Sequence, residues 1–238
     1  MKGPSANENS SLAPYAQSID TDRLGSVCHR FGDCRSCHYR KGITMPETMK
    51  PWRQMPSGRV WPLLNPTPQD VYWPDLAEAL SKTNRWGGST TVLYSVAQHC
   101  CIVHDMLPVQ YRLAGLLHDA EEAALGFDMP RPVKDMFDLL GAGEVIKRAA
   151  SIQKTAIFAA AGLPYPFPDD MQKAVKDADM CALATERRDV NRPCNVAWAS
   201  TLPPPLPDRI RPWPWPKAME EFLKRLNRAL PGKAGKLF

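Results

Sequence analysis

At 238 residues, 44% hydrophobic and 23% charged, the chain has enough apolar material for one well-formed core, which excludes wholesale disorder. A net charge of +5 and a pI near 8.8 suit anionic small molecules, but the excess is too slight to argue for nucleic-acid binding. The first residues lack an apolar signal core and no run of about 18 apolar residues occurs; with seven cysteines, an odd number, this predicts a soluble, reduced, cytoplasmic protein without a membrane partner.

Residues 1–50 are polar and without hydrophobic periodicity, an expected N-terminal arm ahead of a domain over 51–238. The arm carries Cys28, His29, Cys34, Cys37 and His38. Cys-x-x-Cys-His is also the spelling of c-type haem attachment. Without an export signal, a structural zinc on Cys28, Cys34, Cys37 and either His29 or His38 is the better reading, set against a flexible arm of reduced thiols.

From Ser57 the text SGRVWPLLNPTP reads as an extended, proline-punctuated lead-in, and 70–82 as a helix with Pro74 in its first turn. Residues 95–106 place Val96, Cys100 and Val103 on one helical face. Residues 111–125 place Leu113, Leu116, Leu117, Ala120 and Ala124 at helical spacing, with Gly126 as a stop. Further helices are expected over 143–161 and 171–190. A proline-rich connection follows Asn191, and an amphipathic helix over 217–230 packs Met219, Phe222, Leu223, Leu226 and Leu230 back on the core. Strand-like alternation is scarce, so the fold class is all-α, with no internal repeat.

Four residues of these helices, His99, the pair His118 and Asp119, and Asp179, have the spacing of one metal centre. Imidazole nitrogens and carboxylate oxygens hold a hydrolytic divalent cation while leaving positions open for water and substrate. On a helix Glu122 follows His118 by four residues and Asp119 by three, so a further, non-ligating carboxylate faces the same point, as proton transfer requires. Taken singly, a histidine is more often part of a core and an aspartate more often a cap. The second pair, His104 and Asp105, sits at a helix end and lacks a carboxylate one turn later, so it is read as surface. Asp177 is a comparable decoy beside Asp179.

The residues resemble the HD-domain metal-dependent phosphohydrolases, most closely the 5'-deoxynucleotidase-like branch that includes phage deoxynucleoside triphosphatases. The resemblance runs from about Ser57 to Leu226. It rests on NRW at 84–86, YSVAQH at 94–99, GLLHDAEEA at 115–123, DMPRPVK at 128–134 and KDADMCALATERRD at 176–189. It implies an HD-domain helical bundle in which His99, His118, Asp119 and Asp179 ligate manganese, cobalt, zinc or magnesium, and Glu122 is the catalytic acid or base. It also implies that Asp128 orders the sugar or the attacking water, that Arg85 and Trp86 grip the phosphate end and the sugar or base, and that Lys134 contacts phosphate unless it is a solvated helix-start lysine. A homo-oligomer is implied as well. Choosing Asp179 over Asp177 rests partly on this resemblance. The sequence departs from the pattern at Phe127, inserted between Gly126 and Asp128, and in 87–93, where paired glycines point to a mobile pocket edge.

The expected activity is hydrolysis of a deoxynucleotide in nucleotide-pool control. Water attacks the α-phosphorus, releasing a deoxynucleoside with phosphate from a monophosphate or with triphosphate from a triphosphate. Hydrolysis of a signalling nucleotide is a second reading, since fold does not decide substrate. A nucleic-acid or partner-binding protein with a degenerate core is a third, supported only by the arm.

Overall fold

The structure, a computed structural model, describes residues 50–196, 198 and 201–230. The cysteine and histidine cluster of the arm lies outside the described residues.

The lead-in is a hairpin, where the sequence reading expected only extended chain. Strand β1 (Trp52–Gln54) pairs antiparallel with β2 (Val60–Pro62). Trp61 is its anchor. Its ring is buried and its indole N–H donates to Gln153 Oε1 at 2.7 Å, while Gln153 Nε2 returns a bond to the Leu63 carbonyl at 2.8 Å.

Eight α-helices follow among the described residues: α1 (Trp73–Lys82), α2 (Val96–Met106), α3 (Arg112–Leu117), α4 (Glu121–Leu125), α5 (Arg131–Leu139), α6 (Gly143–Ala161), α7 (Asp169–Asp189) and α8 (Trp215–Ala229). The described residues are mostly helical, as expected, and no described helix is long and apolar enough to cross a membrane. The predicted helix over 70–82 begins three residues late, because Pro68–Asp70 forms a 3-10 turn and Pro74 sits at the entrance of α1. Helix α6 has the predicted bounds. Helix α5 buries none of its residues.

Helix α2 is central, packing on α1, α3, α7 and α8. Val96, Ala97, Cys100 and Cys101 join Leu76, Leu80, Leu116, Leu117, Phe222 and Leu226 in one core, and Val103 continues into a smaller cluster with Ala114, Val175 and Ala182. Burial of such side chains contributes roughly 1.5–3 kcal/mol each. The described residues of the proline-rich connection have no regular structure, as expected. Side chains bind its backbone instead: Gln98 takes both the Arg211 carbonyl and the Trp213 N–H at 2.8 Å, and Arg188 donates to the carbonyls of Leu206 and Asp208.

Gly115 lets α2 and α3 approach. A Cβ there would lie 2.3 Å from Leu107 Cδ1 and 3.3 Å from Val103 Cγ1, and Leu107 is buried. Gly115→Ala is therefore expected to destabilise the protein by about 1–3 kcal/mol in denaturant titration, the usual cost of overpacking. An unchanged midpoint would mean Leu107 has room to turn away.

The pair His104 and Asp105 is only half a surface feature, contrary to the sequence reading. His104 is 7% exposed, because the last turn of α2 lies against the core. Its Nδ1 lies 2.7 Å from Asp105 Oδ1, and Asp105 receives Arg225 of α8 at 2.9 and 2.6 Å. Partial burial raises the Asp105 carboxyl, but the hydrogen bonds from His104 and Arg225 outweigh it and hold the group far below the usual carboxylate range. A depressed folded-state pKa adds stability that is complete above the unfolded value, about 3.9, and fades as pH falls below it. Asp105→Asn is thus expected to cost about 1 kcal/mol at pH 7, discounted because the side chain is half exposed. The gap in melting temperature between variant and wild type should narrow as pH drops below about 4. A gap constant with pH would assign the loss to packing.

Candidate metal centre

Helices α2, α3 and α7 converge on one point. Ser95 caps α2, its side chain accepting from the Gln98 N–H, and His99 follows one turn in. The predicted single helix over 111–125 is instead two helices joined at His118, Asp119 and Ala120. There the N–H groups of Ala120, Glu122 and Ala123 bond carbonyls three residues back. A tertiary contact meets this point: Lys154 Nζ of α6 donates to the His118 carbonyl at 2.8 Å and lies 3.0 Å from Glu121 Oε1.

His99 Nε2 and His118 Nε2 are 3.2 Å apart, and Asp179 Oδ1 lies 3.3 and 3.9 Å from them. These three residues form a group able to hold a metal ion. Asp119 Oδ2 lies 3.2 Å from His118 Nε2 and 3.6 Å from His99 Nε2, beside the two histidines of that group. Metal–ligand bonds of about 2.0–2.2 Å put neighbouring donors roughly 3–3.5 Å apart, so these separations fit one cation. Two imidazoles with two carboxylates and no sulfur suit manganese, iron, cobalt or zinc. His118 is oriented by its Nδ1, which donates to the Gly115 carbonyl at 2.8 Å. Asp177, by contrast, is exposed and paired with Lys173.

Glu122 is buried and its Oε2 has no hydrogen-bond partner. Burial, with the charges of Asp119 and Asp128, pushes its carboxyl well above the usual range.

Arg85, expected to grip the phosphate end, is held among four carboxylates. Its guanidinium lies 3.3 Å from Asp119, 3.5 Å from Asp128, 3.6 Å from Asp179 and 3.5 Å from Glu186. Burial opposes its charge, but Glu186, Asp119 and Asp128 outweigh that and raise its pKa well above the ordinary value. Asp119 is held well below the carboxylate range, His118 and Arg85 overcoming burial, and Asp179 likewise by its bond with His99 and the charges of both histidines. His99 is raised to about 9: burial and Arg85 lower it, and Glu186 and Asp179 prevail.

Trp86 is likewise engaged. Its backbone is left-handed (φ 62°, ψ 26°), a conformation costly outside glycine, and Gly87 continues it. Asp128 Oδ2 accepts the Trp86 N–H at 2.5 Å, and Glu186 Oε2 accepts the indole N–H at 2.9 Å. The ring lies 5.5 Å from that of Trp198. The role expected of Asp128, ordering sugar or water, is thus preceded by a structural one, holding this turn. The segment expected to be a mobile edge is tied down at Thr91, whose N–H and hydroxyl both donate to the Val190 carbonyl. Lys134 is exposed on the first turn of α5, where Pro130 and Pro132 start the helix toward solvent, and it contacts none of these residues.

Beside Asp128 opens a cavity of about 410 Å³, lined among others by Arg53, Asn84, Gly87, Gly126 and Phe127. Arg53 donates to the Ala123 carbonyl at the end of α4, and Gly126 (φ 92°) leaves it room. Arg53 and Phe127 had no sequence signal as lining residues. Glu186 is the larger omission: it is fully buried, with His99 Nδ1 at 2.6 Å and the Tyr94 hydroxyl at 3.1 Å from its Oε1. Its position seven residues after Asp179, two turns along one helical face, was the signal available.

No family model matches the chain. It is 36% identical over 148 residues to an uncharacterized protein of Rhodobacter capsulatus, covering 58% of this chain and 72% of that one. It is 33% identical over 129 residues to the uncharacterized protein YfdR of Escherichia coli K12, covering 54% of this chain and 66% of YfdR. The chain belongs to the same family as the Rhodobacter capsulatus protein.

Proposed function

We propose that the protein is an HD-domain metal-dependent phosphohydrolase that hydrolyses deoxynucleotides. The observation that carries the reading is the meeting of His99, His118 and Asp179 in one group able to hold a cation, with Asp119 against the two histidines and the buried Glu122 carboxyl next to Asp119. A divalent metal held there lowers the pKa of water and neutralises charge that develops on phosphate.

The chain's own residues do the rest. Glu122 takes and returns a proton, its burial and the charges of Asp119 and Asp128 favouring the protonated form. Arg85 supplies a fixed positive charge at the phosphate end, pre-oriented by carboxylates on several sides. The nucleoside portion occupies the cavity next to Asp128, whose volume falls within the roughly 300–1,000 Å³ usual for small-molecule sites. Asn84 there offers amide hydrogen bonds and Phe127 an aromatic face.

The test is release of phosphate or triphosphate from a panel of deoxynucleoside mono- and triphosphates, with manganese, cobalt, zinc and magnesium compared. Turnover of a deoxynucleotide by metal-loaded protein is the expected result. Turnover confined to signalling nucleotides would move the substrate assignment, and stoichiometric metal without any turnover would end the enzyme reading.

A further inference from the structure

We propose that Glu186 is the positioning residue of the metal centre: it orients His99 toward the cation and joins that ligand to the Arg85–Trp86 turn. The inference rests on the metal-centre reading above and assigns a residue that never touches the cation.

The carboxylate is fully buried, so it persists only if its oxygens are satisfied. They are satisfied by groups from separate parts of the chain. Oε1 receives His99 Nδ1 at 2.6 Å and the Tyr94 hydroxyl at 3.1 Å, while Oε2 receives the Trp86 indole N–H at 2.9 Å with Arg85 Nε at 3.5 Å. A carboxylate behind an imidazole keeps the proton on Nδ1, so the Nε2 lone pair is the one left for metal. That nitrogen is the one 3.2 Å from His118 Nε2 and 3.3 Å from Asp179 Oδ1.

The two histidines are held differently. Behind His118 stands a backbone carbonyl at 2.8 Å, behind His99 a side-chain carboxyl at 2.6 Å, so the two ligands are aimed by different groups. Helix α7 therefore delivers both a ligand, Asp179, and the support of another ligand two turns later. The second oxygen of Glu186 holds the indole of a residue in a strained backbone conformation. Displacing the carboxylate would release both ends of the arrangement at once.

The experiment measures cobalt(II) or zinc(II) binding by the full chain in equilibrium dialysis. Glu186→Gln is expected to weaken affinity about 10- to 100-fold, the usual effect of losing such a partner, because its amide NH2 must face one pair of donors. The d–d spectrum of bound cobalt should shift as His99 loses its aim. A purely structural role would leave affinity and spectrum unchanged and would overturn the proposal. A measurement on the wild type keeps the test independent of the variant's folding. With cadmium-113 bound and histidines labelled with nitrogen-15, the metal should couple to Nε2 of His99 while Nδ1 stays protonated, and coupling to Nδ1 would overturn the assignment. Wild-type protein that binds metal and hydrolyses nucleotides alongside an unaffected Glu186→Gln defeats this inference alone. Wild-type protein that binds no metal defeats the metal-centre reading itself.

Discussion

Replacing His118 or Asp119 by alanine is expected to remove bound metal and turnover together. His118 lies 3.2 Å from His99 and 3.9 Å from Asp179, Asp119 lies 3.2 and 3.6 Å from the two histidines, and taking either away leaves too few ligands to hold a cation against water. The contrast is His104→Ala. That histidine is buried, so its loss should cost some stability, but its partner is Asp105, which is bound to Arg225 on α8 and not to the centre. Elemental analysis of the purified variants decides between them. An emptied site in His104→Ala beside a filled one in His118→Ala would reverse the assignment.

Glu122→Gln is expected to separate chemistry from metal binding. The amide keeps the size and shape of the side chain but exchanges no proton, so metal content should stay at the wild-type level while turnover falls roughly 10²- to 10⁴-fold. Its buried Oε2 has no partner to lose, which makes a folding defect a minor contribution. Near-normal turnover in this variant would assign Glu122 to structure, leaving proton transfer to another group.

The parts of the molecule legible in the residues are those that local chemistry decides. Helix α6 was readable to its ends, with Gly162 in the left-handed conformation that stops it. The choice of His118 and Asp119 over His104 and Asp105 followed from whether a carboxylate stood one turn later, and the structure brings the chosen pair together with His99 and Asp179. The helix over 111–125 shows where local reading stops. Its apolar spacing continues through Ala120, yet the hydrogen bonds tighten there to three-residue spacing, and Lys154, 36 residues away, takes the His118 carbonyl.

What the amino-acid order determined by itself was a helical chain and a short inventory of imidazoles and carboxylates whose spacing is compatible with a metal. Periodicity and capping act within a few residues, so they mark which side chains share a face. They say nothing of what that face meets. Only the tertiary structure decided that Arg85 is surrounded by Asp119, Asp128, Asp179 and Glu186, that Trp86 is bent into a left-handed turn by Asp128, and that Glu186 stands behind His99. Those partners are 34 to 101 residues apart in the chain, and their proximity is set by how α2, α3 and α7 pack around a common core.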